Sequence, residues 1–209
     1  MATNEELIGD LIKSGYLKTP AIIKAFESID RKDFVPEALK DSAYENTALP
    51  IGEKQTISQP LVVAFMLEFL ELKPGEKVLE IGTGSGWNTA LMAQMIGETG
   101  KIYSIERVPE LYESGKVNIA KYGFLENGRV ETILGDGSRG YEKEAPLDKI
   151  IAAASAEEIP EAWKEQLKIG GRIVAPIKDS IVVLDKTTKD QFDKKEYFGF
   201  SFVPLIRNK

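Results

Sequence analysis

Gln55-Thr56-Ile57-Ser58-Gln59-Pro60 sets two hydroxyls and two amides directly before residues 61–72, one of the most apolar segments of the chain. Ser58 has two readings there. As a cap for the helix that Pro60 opens, it contributes about 1 kcal/mol. As a reactive-site residue, its hydroxyl orients a substrate group. On residue type alone the cap is the simpler account.

A second constellation is Gly82-Thr83-Gly84-Ser85-Gly86, which follows the short apolar run 77–81 and precedes a helix-like stretch. Alternating glycines let the backbone turn sharply and approach a ligand without Cβ interference. The helix behind them offers unpaired N–H groups to a carboxylate or phosphate. A dinucleotide loop needs glycine at position 87, where Trp87 stands. Glu80, just before the loop, would repel a pyrophosphate and hold an ammonium. That combination favours a ligand with both an amino and a carboxylate group, such as the methionine end of S-adenosylmethionine. Glu106 ends the next strand, where an acid can bind both ribose hydroxyls. Asp136-Gly137 ends the third, where Asp136 can accept from an adenine amino group. Each acid alone reads as a surface residue; three at successive strand ends beside a glycine loop read as an adenosyl site.

Composition narrows the chemistry. The 209 residues are 43% hydrophobic, enough for one core with an added helical segment. The net charge of −6 argues against a nucleic-acid partner. The chain has no cysteine and no histidine, which excludes disulfides, thiolate nucleophiles, cysteine- or histidine-ligated metal and histidine-based triads. No metal is expected. Glu5, Glu6 and Asp10 interrupt any signal pattern, and the oily run 60–72 is shorter than a membrane span and carries Glu68 and Glu71. A cytoplasmic protein without a membrane partner is expected.

The elements that must position these residues follow from periodicity. Residues 5–13 and the stretch after Thr19-Pro20 read as amphipathic helices, residues 36–56 as irregular, and 60–72 as a third helix. From residue 77 onward strands (77–81, 101–105, 130–134, 149–153, 172–177) alternate with helices (88–95, 109–122, 160–167), which implies βαβ units and a parallel sheet covered on both faces. Residues 181–184 and 197–205 read as strands without helices between them, an antiparallel edge. The expectation is an α/β, doubly wound Rossmann-like sheet, mostly parallel with an antiparallel C-terminal edge, plus N-terminal helices. It forms one domain over 1–209, with a helical segment and active-site loop at 1–72 and the ligand-binding core at 73–209.

In order along the chain, ALPIG (48–52), QTISQP (55–60), VLEIGTGSGWNTA (78–90), YSIERVPEL (103–111), GDG (135–137), QLKIGGRIVAPI (166–177) and FVPL (202–205) resemble the protein-L-isoaspartate O-methyltransferases. The resemblance implies a class I methyltransferase fold that binds S-adenosylmethionine and releases S-adenosyl-L-homocysteine. It implies methylation of the α-carboxylate of L-isoaspartyl residues, and more weakly of D-aspartyl side chains, in damaged proteins; the ester closes to a succinimide, whose hydrolysis returns some normal aspartate. Ser58 is the implied catalytic residue. Thr56, Ile57, Glu80, Gly82, Thr83, Gly84, Gly86, Glu106, Arg107, Asp136 and Gly137 are the implied cofactor contacts. Gln55, Ala153, Ala154, Val203, Pro204 and Leu205 are the implied substrate contacts, and the protein is expected to be a monomer. Three departures lie on the substrate side: Glu53-Lys54 where the family commonly has an aromatic residue, Leu61 where many members have histidine, and Ser155 in place of a proline. Two rivals remain: a methyltransferase acting on ordinary aspartate of a dedicated peptide, and a non-catalytic adenosyl-ligand-binding module.

The missing histidine suits this chemistry. A carboxylate with a pKa near 4 is ionised at neutral pH and needs no general base. What remains is in-line positioning and desolvation, worth roughly 7–11 kcal/mol in favourable cases.

Overall fold

The computed structural model describes residues 2–206. Helix α1 (Asn4–Lys13) begins at Thr3, which forms a reciprocal capping box with Glu6, and buries Leu7, Ile8 and Leu11. Helix α2 (Pro20–Ser28) has proline in its first turn and buries Ile22, Ala25 and Phe26. Its N-cap, Thr19, makes no side-chain cap of its own. Glu68 instead accepts from the backbone N–H groups of Lys18 and Thr19 and from the Thr19 hydroxyl.

Residues 36–56 are more ordered than expected. They contain strand β1 (Leu49–Gly52), which pairs antiparallel with β2 (Gln55–Ile57) to form a separate two-stranded sheet. Its turn residues Glu53 and Lys54 have φ of 49° and 58°. Such turns normally announce themselves through glycine or asparagine. Here a Glu-Lys pair occupies the left-handed region, so the usual signal is absent. Helix α3 (Pro60–Leu70) follows directly.

The main sheet has seven strands: β3 (Lys77–Ile81), β4 (Lys101–Glu106), β5 (Val130–Leu134), β6 (Leu147–Ala152), β7 (Leu167–Ile177), β8 (Ser180–Lys186) and β9 (Phe192–Phe198), in the order β5-β4-β3-β6-β7-β8-β9. Pairing is parallel from β5 through β7 and antiparallel from β7 to β9. Helices α4 (Trp87–Met95), α5 (Pro109–Ala120) and α6 (Glu161–Gln166) connect the parallel strands. Side chains alternate between two cores, as the period of two requires. Val78, Ile102, Ile151 and Val174 join the cluster with α1, α2, α3 and α4. Leu79, Tyr103, Ile150 and Ile173 join the other, with Trp163 of α6. The expected mostly parallel sheet with an antiparallel edge and N-terminal helices is what the chain forms.

One expected strand is displaced. Residues 197–205 are not a single strand: β9 begins earlier, at Phe192, runs through the charged Asp193-Lys194-Lys195-Glu196 to Phe198, and Gly199 (φ 95°) ends the run. Charges on an outermost strand guard against edge pairing and conceal the strand from hydrophobic patterning. The freed segment crosses to the parallel half, where Pro204 forms an isolated bridge with Ser155.

Candidate active site

The connection from β3 runs through α4 to β4 on one side of the sheet order, and that from β6 runs through α6 to β7 on the other, which opens a crevice between the carboxyl ends of β3 and β6. The glycine loop fills the turn from β3 into α4. The Gly82 N–H donates to the Ile105 carbonyl at 2.8 Å, tying the loop to β4. Gly84 and Gly86 both have positive φ, but they serve different neighbours. A Cβ on Gly86 would lie 2.8 Å from the Gly115 carbonyl, and one on Gly115 would lie 2.7 Å from the Gly84 carbonyl. Gly86 therefore lets α5 press against the loop, and Gly115, whose role the sequence did not reveal, completes that contact.

The loop is held open by Glu106. Its carboxylate accepts from the Gly84 N–H at 2.8 Å on one oxygen, and from the Arg107 and Val108 N–H groups at 2.8 and 2.9 Å on the other. The side chain lies at the cleft wall and is only 6% exposed.

Glu80 is placed otherwise than the sequence implied. It is fully buried and does not line the cleft. One oxygen accepts from the Asn88 amide at 2.7 Å; the other accepts from the Thr89 and Ser104 hydroxyls. Ser104 in turn shares a 2.6 Å hydrogen bond with Thr83. The placement sets Glu80 beneath the loop, where the acid ties the start of α4 to β4, and not at the cleft surface where an ammonium group was expected to meet it. A strand position next to the glycine loop does not say which face of the sheet the side chain meets. Burial raises the carboxyl to about 7, against the pull of those three hydrogen bonds. The unfolded group loses its proton near 4.5. The folded form thus binds the extra proton between about 4.5 and 7, and this contribution to stability is present below that window and lost as pH rises through it. Urea unfolding across this range is expected to show a loss of about 3 kcal/mol that Glu80→Gln removes; equal slopes for both proteins would refute it.

To the same cleft β2 delivers Gln55, Thr56 and Ile57, and Ser58 follows. The capping reading of Ser58 is not realised. The N-cap of α3 is Gln59, without a side-chain cap bond, and the Leu61 N–H is taken at 3.0 Å by the Asn46 side chain. Ser58 is only partly buried, at the cleft. Ala153 and Ala154 extend from β6, and the 203–205 segment closes the far side. That segment is pinned by Ser155, whose N–H donates to the Val203 carbonyl at 2.8 Å while its carbonyl accepts from the Leu205 N–H at 2.7 Å. A proline at position 155 would lack the first of these donors.

Together with the open solvent at its mouth, the cleft spans about 880 Å³. It gathers Gln55, Thr56, Ile57, Ser58, Gly82, Thr83, Gly84, Glu106, Arg107, Gly137, Ala153, Ala154, Val203, Pro204 and Leu205. Glu80, Gly86 and Asp136 do not line it. Asp136 sits between the lining residues Gly135 and Gly137 and accepts from the Ser138 N–H at 3.0 Å. Ser85, Asn88, Val108 and Leu111 line the cleft without having been singled out; Asn88, in the first turn after the glycine loop, carried the clearest missed signal. Among the described residues no cluster of acids that could hold a metal occurs, and no helix is long and apolar enough to cross a membrane.

A bare glycine backbone, an acid at the end of β4 and apolar walls from Ile81, Ile105 and Leu111 fit an adenosyl-amino-acid ligand. With the sheet order, they define a class I S-adenosylmethionine-dependent methyltransferase. A solved Plasmodium falciparum structure, described as a protein-L-isoaspartate O-methyltransferase in complex with S-adenosyl-L-homocysteine, shares the fold: its TM-score is 0.89 over 100% of both chains, at 24% identity. A family model described as protein-L-isoaspartate(D-aspartate) O-methyltransferase matches residues 2–209. The protein-L-isoaspartate O-methyltransferase of Ignicoccus hospitalis is 45% identical over 208 residues, covering 98% of this chain and 97% of its own. That of Methanothermobacter thermautotrophicus is 40% identical over 211 residues, covering 99% and 96%. The chain belongs to the protein-L-isoaspartate(D-aspartate) O-methyltransferase family.

Proposed function

We propose that this cleft carries out the family's reaction, methylation of the free carboxylate at an isoaspartyl residue, with Ser58 as the group that handles that carboxylate. The observation that carries this reading is the meeting of Ser58 and the glycine loop across one cleft, with a serine hydroxyl not spent on capping α3. Bound S-adenosylmethionine supplies a methyl group activated by its sulfonium. Glu106 is assigned to the ribose hydroxyls, the glycine loop to the amino-acid end as a surface of close approach whose Gly82 and Gly84 N–H groups are already taken by Ile105 and Glu106, and Thr56 and Ile57 to the donor's other side. Ser58 donates a hydrogen bond to the substrate carboxylate and aims it; no group need remove a proton, because the carboxylate arrives ionised.

The 203–205 segment suits a substrate defined by its backbone. Ser155 uses the Val203 carbonyl and the Leu205 N–H, so strand alternation turns the Pro204 carbonyl to the other edge, where an extended peptide can pair. The same reading has one domain acting as a monomer in the cytoplasm on damaged proteins, not on nucleic acid, in keeping with a charge of −6. Labelled methyl donor offered with an isoaspartyl peptide and its normal aspartyl twin tests the proposal. Label is expected in the isoaspartyl peptide alone, as a base-labile ester. Equal labelling of both would replace this reading with methylation of ordinary aspartate.

A further inference from the structure

Arg31 is fully buried in a short 3-10 turn, and no part of the sequence pattern marked it. Its four terminal N–H groups meet four carbonyls. Nη1 donates to Ala43 at 2.7 Å and Glu45 at 3.3 Å; Nη2 donates to Thr47 at 2.9 Å and Ser58 at 3.1 Å. The guanidinium also lies over the Trp87 ring, 5.2 Å from its centroid, and Trp87, the residue directly after the glycine loop, is one of those that line the cleft. Burial lowers the guanidinium to about 10, so it stays charged at neutral pH.

A buried charge is a costly way to fill a core. Packing alone would be served as well by an apolar side chain. Here the charge collects the carbonyls of an irregular segment that has few backbone partners of its own, and one of the four belongs to Ser58. The same planar group rests on the ring of Trp87, the residue that follows the glycine loop and opens α4. We infer that Arg31 is a positioning residue for methyl transfer, holding the Ser58 backbone at a fixed offset from the donor pocket through simultaneous contact with the Ser58 carbonyl and the Trp87 face.

A misplacement of about 1 Å at a reacting group can cost roughly 100-fold in rate. Lysine keeps the charge but offers a point donor that can neither reach four diverging carbonyls nor stack flat on an indole. Arg31→Lys is therefore expected to lower kcat about 10- to 100-fold, while S-adenosylhomocysteine affinity by calorimetry stays within about threefold, because Glu106 and the glycine loop are untouched. Rates are compared at a temperature where circular dichroism shows the variant folded. A lowered melting temperature with parental kcat would reduce Arg31 to a structural role and overturn the inference.

A double-mutant cycle sharpens the reading. If Arg31 acts through Ser58, Arg31→Lys costs less than about threefold further in a Ser58→Ala background; additive losses overturn the inference. Should Arg31→Lys not fold, Arg31→Gln repeats the comparison with a neutral donor, and failure of both to fold assigns Arg31 to the fold as a whole and also overturns it. The inference rests on the assignment of Ser58. A Ser58→Ala enzyme with parental turnover would remove that assignment, whereas an inactive Ser58→Ala beside an unimpaired Arg31→Lys would remove only the role of Arg31.

Discussion

Glu106→Ala is expected to weaken S-adenosylhomocysteine binding about 100-fold, close to 2.8 kcal/mol. Two effects combine. The carboxylate is the ribose acceptor in the proposed site, and a hydrogen bond to a charged group contributes about 1.5–3 kcal/mol. The same carboxylate holds the Gly84, Arg107 and Val108 N–H groups, so its loss also loosens the loop that receives the amino-acid end. Glu106→Gln keeps the shape and one acceptor oxygen, and an intermediate loss is expected. Isothermal titration calorimetry reads both variants directly, without dependence on turnover. An alanine variant within threefold of the parent would take Glu106 out of the nucleoside site. Because Glu106 is assigned to the donor and Ser58 to the substrate carboxylate, kcat at saturating donor should fall far less than affinity.

How far the molecule was legible in its sequence differs from feature to feature. The inner parallel strands were readable because residues 78–81, 102–105, 150–152 and 173–177 are short, nearly unbroken apolar runs, as burial on both faces demands. Glu106 was readable because a strand end fixes an address in the crevice. Glu80 was not, because the residue type names a charge and the pleat decides where that charge points. The same limit applies to Gly86: a glycine admits close approach, and only the fold shows that α5 approaches there. The hairpin that carries Gln55, Thr56 and Ile57 escaped notice because Glu53 and Lys54 hold a conformation usually given to glycine. The first part of strand β9 escaped because residues 193–196 are all charged. Arg31 was the least legible of all. Its partners lie 12 to 27 residues away and are backbone carbonyls, which leave no trace in side-chain pattern.

Ser58→Ala is expected to lower methyl transfer to an isoaspartyl peptide about 100-fold, with donor binding and stability nearly unchanged. Stability should hold because Gln59 and Asn46, not the Ser58 hydroxyl, complete the start of α3, so the usual cost of about 1 kcal/mol for deleting a serine cap does not apply. Donor binding should hold because the glycine loop and Glu106 keep their contacts. Turnover should fall because the hydroxyl is the group proposed to orient the substrate carboxylate, and lost orientation acts directly on the rate. The shape of the pH–rate profile separates this role from proton transfer. In both proteins activity should decline below about pH 4–5, where the substrate carboxylate itself takes up a proton. A serine acting as part of a general-base system would give the parent a second ionisation that the variant lacks. The chain has no histidine to activate such a serine. Parallel profiles, displaced by about 100-fold and equal in shape, are therefore the expected result, and a changed acid limb in Ser58→Ala would assign the hydroxyl a part in proton movement instead.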